Sequence, residues 1–258
     1  MPRTPTILAT SGGFTRDDRD NLVPAGLAQL ALRLSGADRP KVTFLATASG
    51  DDVGYVQRTY AAFAGWSVDM SHLALFSMPN VADVRTHLLS QDVIWVGGGS
   101  VANLLAVWRV HGVDEIMREA WASGVVLSGV SAGSICWHVG GTTDSFGPDL
   151  QAVTDGLALL PYGNGVHYDS EERRRPLLHD LVRDGMLPMS YATDDGVGLH
   201  YASTELVGVH SERDGAAAYR SRRRLAWSPR HASTRSRSET GHRDGLIRPP
   251  CTARRLAG

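Results

Sequence analysis

The stretch Val125–Ser134 reads VVLSGVSAGS, a short apolar run that ends in the turn Gly129-Val130-Ser131-Ala132-Gly133-Ser134. A G-x-S-x-G pattern after an apolar run is typical of a buried strand that turns sharply into a helix. Such a turn exposes the serine hydroxyl, and the next backbone N–H and the helix N-terminus can stabilise an oxyanion. The pattern therefore indicates a nucleophilic Ser131, and the alternative is a glycine-rich loop that holds a structural serine.

Short apolar strands alternate with helical patterns around this turn. The alternation predicts an α/β fold with a mostly parallel sheet covered by helices on both faces, and places functional loops at the carboxyl ends of the strands. The predicted strands are Thr6–Thr10, Lys41–Ala46, His72–Phe76, Asp92–Val96, Val125–Leu127, Tyr191–Tyr201 and Glu205–His210. The predicted helices are Leu22–Leu34, Tyr55–Trp66, Val84–Leu89, Val101–Val110, Val113–Ser123, Ala132–Val139 and residues 170–184, the last broken or bent by Pro176.

Composition limits the class of protein. The chain has 258 residues, 42% hydrophobic and 21% charged, with a formal net charge of −1. These values predict one large globular domain without a general affinity for nucleic acid. Cys136 and Cys251 form no C-x-x-C pair, and we expect neither a signal peptide nor a membrane span, so a reducing cytoplasm is the expected location.

The composition changes near residue 220, where an Arg- and Ser-rich tail begins with Arg220-Ser221-Arg222-Arg223-Arg224. We therefore predict a single α/β domain over residues 1–220 and a tail over residues 221–258. Its few apolar residues favour disorder or loose packing, and a nucleic-acid-binding tail is the alternative.

A serine nucleophile needs a base, and the base needs an acid that orients it. His167 is the favoured base because it follows a glycine-rich approach, Gly163-Asn164-Gly165. Asp144 and Asp195 are the candidate acids, and either order along the chain is chemically acceptable, because geometry defines a triad. The alternative for both is a turn residue.

The loop Gly97-Gly98-Gly99-Ser100 follows another predicted strand. Backbone N–H groups of Gly98 and Gly99, with that of Ala132, are candidates for an oxyanion hole, and a tight turn is the alternative. The sequence shows no metal-binding spacing and no nucleotide phosphate loop, so we expect chemistry without a metal or cofactor.

Several motifs in order resemble peptidase E of the S51 family of serine peptidases over about residues 5–220. They are Ala9–Gly13, Ala46–Gly50, Gly97–Ser100 with Asn103–Leu105, Gly129–Trp137, Thr143–Gly147, His167–Asp169, Arg173–Pro176, Tyr191–Gly196 and Leu199-His200. The resemblance implies a flavodoxin-like fold, similar to class I glutamine amidotransferases. It also implies a cytosolic, metal-independent peptidase that removes N-terminal aspartate from dipeptides and some short peptides.

The resemblance also implies roles for individual residues. Ser131 matches the nucleophile and His167 the base, while Asp144 or Asp195 matches the acid, with a preference for Asp195. Arg173–Arg175 are the expected source of a cation for the aspartate side chain, since arginine grips carboxylates bidentately. The alternative is that these arginines form a solvated helix face.

Other functions are consistent with the same motifs. They are a cyanophycinase-like hydrolase of β-linked or other acidic peptides, a non-catalytic peptide-binding homologue, and an esterase of the α/β-hydrolase type. The esterase lacks support because no H-G-G-G motif precedes the serine. The expected partner is a small peptide, without nucleic acid or membrane, bound by a monomer or homodimer. The tail departs from the closing β segment of the family, which suggests a frameshift or a divergent end.

Overall fold

Fifteen strands and seven α-helices make up the computed structural model, which describes residues 3–223 and 243–247. The strands are β1 Thr6–Thr10, β2 Phe14–Arg16, β3 Leu22–Pro24, β4 Lys41–Leu45, β5 Asp69–Leu73, β6 Val93–Val96, β7 Val126–Val130, β8 Gly140–Thr143, β9 Gln151–Val153, β10 Gly163–Gly165, β11 Ser190–Thr193, β12 Val197–Ala202, β13 Glu205–Ser211, β14 Ala218–Arg222 and β15 Arg243–Ile247. The helices are α1 Gly26–Leu34, α2 Val53–Phe63, α3 Val84–Leu89, α4 Val101–His111, α5 Val113–Ala122, α6 Ala132–Ile135 and α7 Arg174–Arg183, with a 3₁₀ turn at Thr47–Ser49.

The central sheet has seven strands in the order β13-β12-β1-β7-β6-β4-β5. The five strands from β1 to β5 in that order are parallel, while β12 and β13 are antiparallel to their neighbours. The carboxyl ends of β1, β7, β6 and β4 therefore lie at one edge, where their following loops meet. This sheet confirms the predicted α/β fold with a mostly parallel sheet.

Both faces of the central sheet are buried. Strand β6 shows this most simply, since all four of its residues are buried. Ile94 and Val96 pack in the cluster that contains α4 and α5, whereas Val93 and Trp95 pack in the cluster that contains α1 and α2. Successive side chains of a strand point to opposite faces, so helices cover the sheet on both sides.

A second sheet, in the order β15-β14-β11-β10-β8-β9, was not predicted. The sequence predicted one strand over Tyr191–Tyr201, which is wrong: β11 lies in the second sheet and β12 in the central one. A turn at Asp194–Gly196 separates them, with Gly196 at φ +76°. A positive φ suits glycine and ends the strand, so the chain changes sheets at this point.

Smaller differences from the predicted bounds occur in α2, α4 and α5, and three other predicted helices differ from the structure for a clear physical reason. The helix over Leu22–Leu34 begins only at Gly26, because Pro24 disfavours helical backbone in the residue before it. The helix over Ala132–Val139 ends at Ile135, since the Val139 N–H pairs with the Tyr162 carbonyl instead of continuing the helix. Pro176 does not break α7, because it lies in the first turn, where a backbone N–H has no helical partner.

Part of the predicted tail is described. Residues 243–247 form β15, which pairs antiparallel with β14. The remainder of the tail, residues 224–242 and 248–258 with Cys251, lies outside the described residues. The predicted boundary near residue 220, and the predictions made for those segments, therefore stay predictions. None of the helices within the described ranges is long and apolar enough to cross a bilayer.

Candidate active site

Ser131 lies where β7 ends, in a conformation that serine rarely adopts. Its φ is +57° and its ψ is −112°, a strained backbone that costs on the order of 1–3 kcal/mol. The Ser131 N–H donates to the Thr10 carbonyl at 3.0 Å, which ties the turn to β1. The turn needs its flanking glycines: a Cβ on Gly129 would lie 2.7 Å from the Val96 carbonyl oxygen, and one on Gly133 would lie 2.8 Å from Val96 Cβ. The G-x-S-x-G spacing thus reflects close packing of the turn against β6.

His167 and Asp195 are brought together from different segments. The Nδ1 atom of His167 lies 2.6 Å from Asp195 Oδ1, and the side chains are 24% and 34% exposed. An ionised carboxylate only accepts hydrogen bonds, so Nδ1 carries the proton and Nε2 is left as an acceptor. His167 has a positive φ of 53°, and its N–H donates to Ser11 Oγ at 3.3 Å.

Ser131 and His167 line one pocket of about 270 Å³ at the carboxyl edge of the central sheet. The other lining residues are Gly99, Ser100, Asp144, Ser145, Glu171 and Arg174. The pocket therefore joins a strained serine hydroxyl to an imidazole that is already oriented by a carboxylate. That combination can perform nucleophilic acyl transfer.

The glycine loop after β6 contacts the serine turn. A Cβ on Gly98 would lie 3.3 Å from Ser131 Cβ, so the loop passes directly beside the serine. Burial raises the pKa of Tyr55, and a hydrogen bond from the Gly98 backbone opposes that rise. The N–H groups of Gly99 and Ala132 donate to no acceptor among residues 3–223 and 243–247. These two groups are available for an oxyanion, and the Gly98 N–H stays a predicted donor.

Asp144 lines the same pocket but contacts a different residue. Within the described ranges the carboxylate that hydrogen-bonds to His167 is that of Asp195. Asp144 is 62% exposed, and its Oδ1 lies 4.0 Å from Arg174 Nη2. The structure thus brings Asp195 to the histidine and Asp144 to an arginine.

The side chains of Arg173–Arg175 lie in three different environments. Arg173 is exposed and pairs with Asp149 at 3.1 Å. Arg175 stacks on the rings of Tyr168 and Tyr219, at 4.5 and 4.6 Å from their centroids. Arg174 alone of the three lines the pocket with Ser131, and its side chain is 3% exposed.

The guanidinium of Arg174 is held from two sides. It donates to both Glu171 oxygens, at 2.8 and 3.2 Å, and to the Thr142 carbonyl at 2.6 Å. Among the described residues, these bonds use three of its five N–H groups. The remaining donors leave it able to bind a carboxylate.

The sequence did not identify the residues that fix the position of His167. Ser11 accepts from the His167 N–H, and its hydroxyl lies 2.7 Å from Thr193 Oγ1. Both residues follow or end a strand, β1 and β11 respectively, so their nearness depends on how the two sheets meet. The only signal in the sequence was the position of Ser11 in a glycine-rich strand end. Within the described part of the chain, no group of three or more His, Cys, Asp or Glu side chains is arranged to hold a metal ion.

Comparison with known proteins shows to which family this chain is related. The family model described as Peptidase family S51 matches residues 7–208. The “Uncharacterized peptidase YgaJ” of Bacillus subtilis (strain 168) is 44% identical over 214 residues, which are 83% of this chain and 90% of the relative.

Two solved structures have a similar fold. One is a “Putative Peptidase E Protein” from Listeria monocytogenes EGD-e, with a TM-score of 0.60 and 18% identity over 81% of this chain and 98% of the other. The second is a peptidase from an acI-B1 Actinobacterium, with a TM-score of 0.63 and 15% identity over 96% of both chains. At these identities the likeness shows the fold, and it agrees with the flavodoxin-like class implied by the sequence motifs.

Proposed function

The chain belongs to peptidase family S51, and on that premise we propose that it is a serine peptidase that cleaves short peptides through an acyl-enzyme on Ser131. The observation that carries the proposal is the 2.6 Å contact between His167 and Asp195 at the pocket that Ser131 lines. The strained backbone of Ser131 supports it, because such strain in a non-glycine residue is concentrated at functional sites.

The proposed reaction begins with attack of Ser131 Oγ on the scissile carbonyl, while His167 Nε2 accepts the hydroxyl proton. Asp195 keeps Nδ1 protonated and stabilises the imidazolium that forms. The free N–H groups of Gly99 and Ala132 hold the oxyanion of the tetrahedral intermediate. His167 then donates its proton to the leaving amine, and water hydrolyses the acyl-enzyme by the same sequence of transfers.

For the substrate we propose Asp-X dipeptides and short peptides with an N-terminal aspartate. Arg174 supports this preference because it places a buried cation with free donors in the pocket. A buried guanidinium favours a carboxylate that can bind it bidentately. Arg173 and Arg175, which pair elsewhere, are not part of the proposed subsite.

The deciding experiment is hydrolysis of Asp-X, Glu-X, β-Asp-X and neutral dipeptides by the wild type and by Ser131→Ala. We expect cleavage of Asp-X by the wild type and a loss of kcat on the order of a thousandfold or more in the variant. Ser203→Ala is a matched control, since Ser203 also has a positive φ, 51°, but lies in the exposed turn between β12 and β13.

Each other outcome identifies an alternative. Equal rates for wild type and Ser131→Ala would remove the nucleophile from the proposal. Preference for β-Asp-X would favour the cyanophycinase-like hydrolase. Tight binding of peptides without turnover would favour a non-catalytic peptide-binding protein.

A further inference from the structure

Asp195 is fixed through its backbone as well as through its carboxylate. Its N–H donates to Asp169 Oδ1 at 2.8 Å, and its carbonyl accepts from Arg213 Nη1 at 3.1 Å. The same Arg213 nitrogen lies 3.0 Å from Asp169 Oδ2. One ion pair therefore contacts both polar backbone groups of this residue.

The two members of this ion pair come from segments that are anchored independently. Asp169 lies two residues after His167, so it belongs to the segment that carries the imidazole. Arg213 follows β13, where its N–H donates to Ser211 Oγ at 3.2 Å and its carbonyl accepts from that hydroxyl at 2.7 Å. The pair thus connects the His167 segment, the Asp195 turn and the end of β13.

The packing of Arg213 and the charge of Asp169 both support a role for this ion pair at the Asp195 turn. A Cβ on Gly196 would lie 3.0 Å from Arg213 Cδ, so the arginine stem covers the Asp195-Gly196 turn. Burial opposes ionisation of Asp169, but hydrogen bonds from the Asp195 backbone and from Arg213 outweigh it and lower the pKa of the Asp169 carboxyl. Asp169 is therefore an anion that accepts two hydrogen bonds.

We propose that Asp169 and Arg213 are positioning residues that hold the Asp195 carboxylate at hydrogen-bond distance from His167. The proposal rests on the function proposed for the Ser131 pocket. Without the Asp169 carboxylate, the Asp195 N–H loses its acceptor, and the backbone bond from the Tyr168 N–H to the Thr193 carbonyl, at 3.1 Å, lies two residues from Asp195 and does not hold it directly. A displacement of about 1 Å in a catalytic group can reduce turnover about a hundredfold, so a modest shift of this turn is sufficient to matter.

The test compares Asp169→Ala with a matched control, Asp92→Ala. Asp92 also accepts from a backbone N–H, that of Lys41 at 3.0 Å, and pairs with Arg3 at 3.1 Å. The exposures of Arg3 and Asp92, 51% and 23%, resemble the 53% and 31% of Arg213 and Asp169. Asp92 precedes β6, at the opposite end of that strand from the pocket.

We expect Asp169→Ala to lower kcat about 10- to 100-fold with KM changed by less than about twofold, and Asp92→Ala to leave both unchanged. Arg213→Gln should cause a smaller loss, because Asp169 still accepts from the Asp195 N–H. Asp169→Asn keeps that acceptor without its charge, so it should fall between wild type and Asp169→Ala. The milder variants Asp169→Asn and Arg213→Gln keep the proposal testable even where Asp169→Ala folds poorly.

A second measurement does not depend on peptidase activity. The Nδ1 proton of His167 should give a downfield proton resonance in NMR, assigned by its absence in His167→Gln. We expect this resonance to disappear or shift in Asp169→Ala and to persist in Asp92→Ala. An unchanged resonance and an unchanged kcat in Asp169→Ala would overturn the proposal, as would an equal loss in Asp92→Ala. Should the wild type cleave no peptide, the function proposed for the pocket fails, and the resonance alone still decides the role of Asp169.

Discussion

Replacing Asp195 with Asn tests which acid acts behind the histidine. The substitution keeps the shape of the side chain and removes the charge that lies 2.6 Å from His167 Nδ1. During the reaction the imidazole becomes positively charged. Two unit charges about 4 Å apart near a protein surface interact by about 4 kcal/mol. Because the two side chains are 24% and 34% exposed, screening reduces this to about 3 kcal/mol.

A transition state that loses about 3 kcal/mol of stabilisation is reached about a hundred to a thousand times more slowly. We therefore expect Asp195→Asn to lower kcat by that factor on the best dipeptide of the panel, with little change in KM. Asp144→Asn, the matched variant at the other candidate acid, should lower kcat less than about tenfold, because Asp144 lies beside Arg174 rather than His167. Steady-state hydrolysis, followed by the amine released, gives both values. A larger loss in Asp144→Asn than in Asp195→Asn would refute this reasoning.

Three further predictions concern specificity, packing and pH. Arg174→Gln should reduce kcat/KM for Asp-X about tenfold or more relative to neutral dipeptides, whereas Arg173→Gln should leave that ratio unchanged. Gly133→Ala should lower the free energy of unfolding in urea by about 2 kcal/mol, because its Cβ would lie 2.8 Å from Val96 Cβ. Burial lowers the pKa of His138 from 6.5 to about 4, so the unfolded chain binds a proton in this range that the folded chain does not. The free energy of unfolding should therefore decrease by about 3 kcal/mol as the pH falls from about 6.5 to about 4, and His138→Asn should flatten that decrease.

Each of these predictions has a contrary result. An equal effect of Arg174→Gln and Arg173→Gln would mean that both arginines act through the start of α7 and not through the substrate. An unchanged unfolding midpoint for Gly133→Ala would mean that the serine turn relaxes without cost. An unchanged pH dependence in His138→Asn would assign the acid sensitivity to other groups.

The sequence predicted most of the central sheet because local signals and buried periodicity agree there, although the strand predicted over His72–Phe76 is observed at Asp69–Leu73. Helix α3 has the predicted bounds, and its first turn is capped by Asp83, whose carboxylate accepts from the Thr86 N–H. The serine turn could also be predicted from the sequence, since its glycine spacing is a direct consequence of close packing against β6.

The second sheet was not predicted because its strands carry weak signals. Strand β10 is only Gly163–Gly165, and β11 is a four-residue strand next to a turn. Neither shows the alternation of apolar and polar residues that marks a half-buried strand. The choice between Asp144 and Asp195 also needed the arrangement of the two sheets. It depends on which of the two turns lies beside His167 once both sheets have formed.

The change of sheet between β11 and β12 distributes the candidate triad over the two sheets. The nucleophile is fixed to the central sheet through Thr10, whereas His167 follows β10 and Asp195 follows β11, both strands of the second sheet. Two contacts connect the sheets at this point, because the His167 N–H donates to Ser11 Oγ after β1 and the Asp195 carbonyl accepts from Arg213 after β13. Substitutions that weaken these contacts should accordingly misalign proton transfer from Ser131 to His167, so turnover measures how precisely the two sheets are joined.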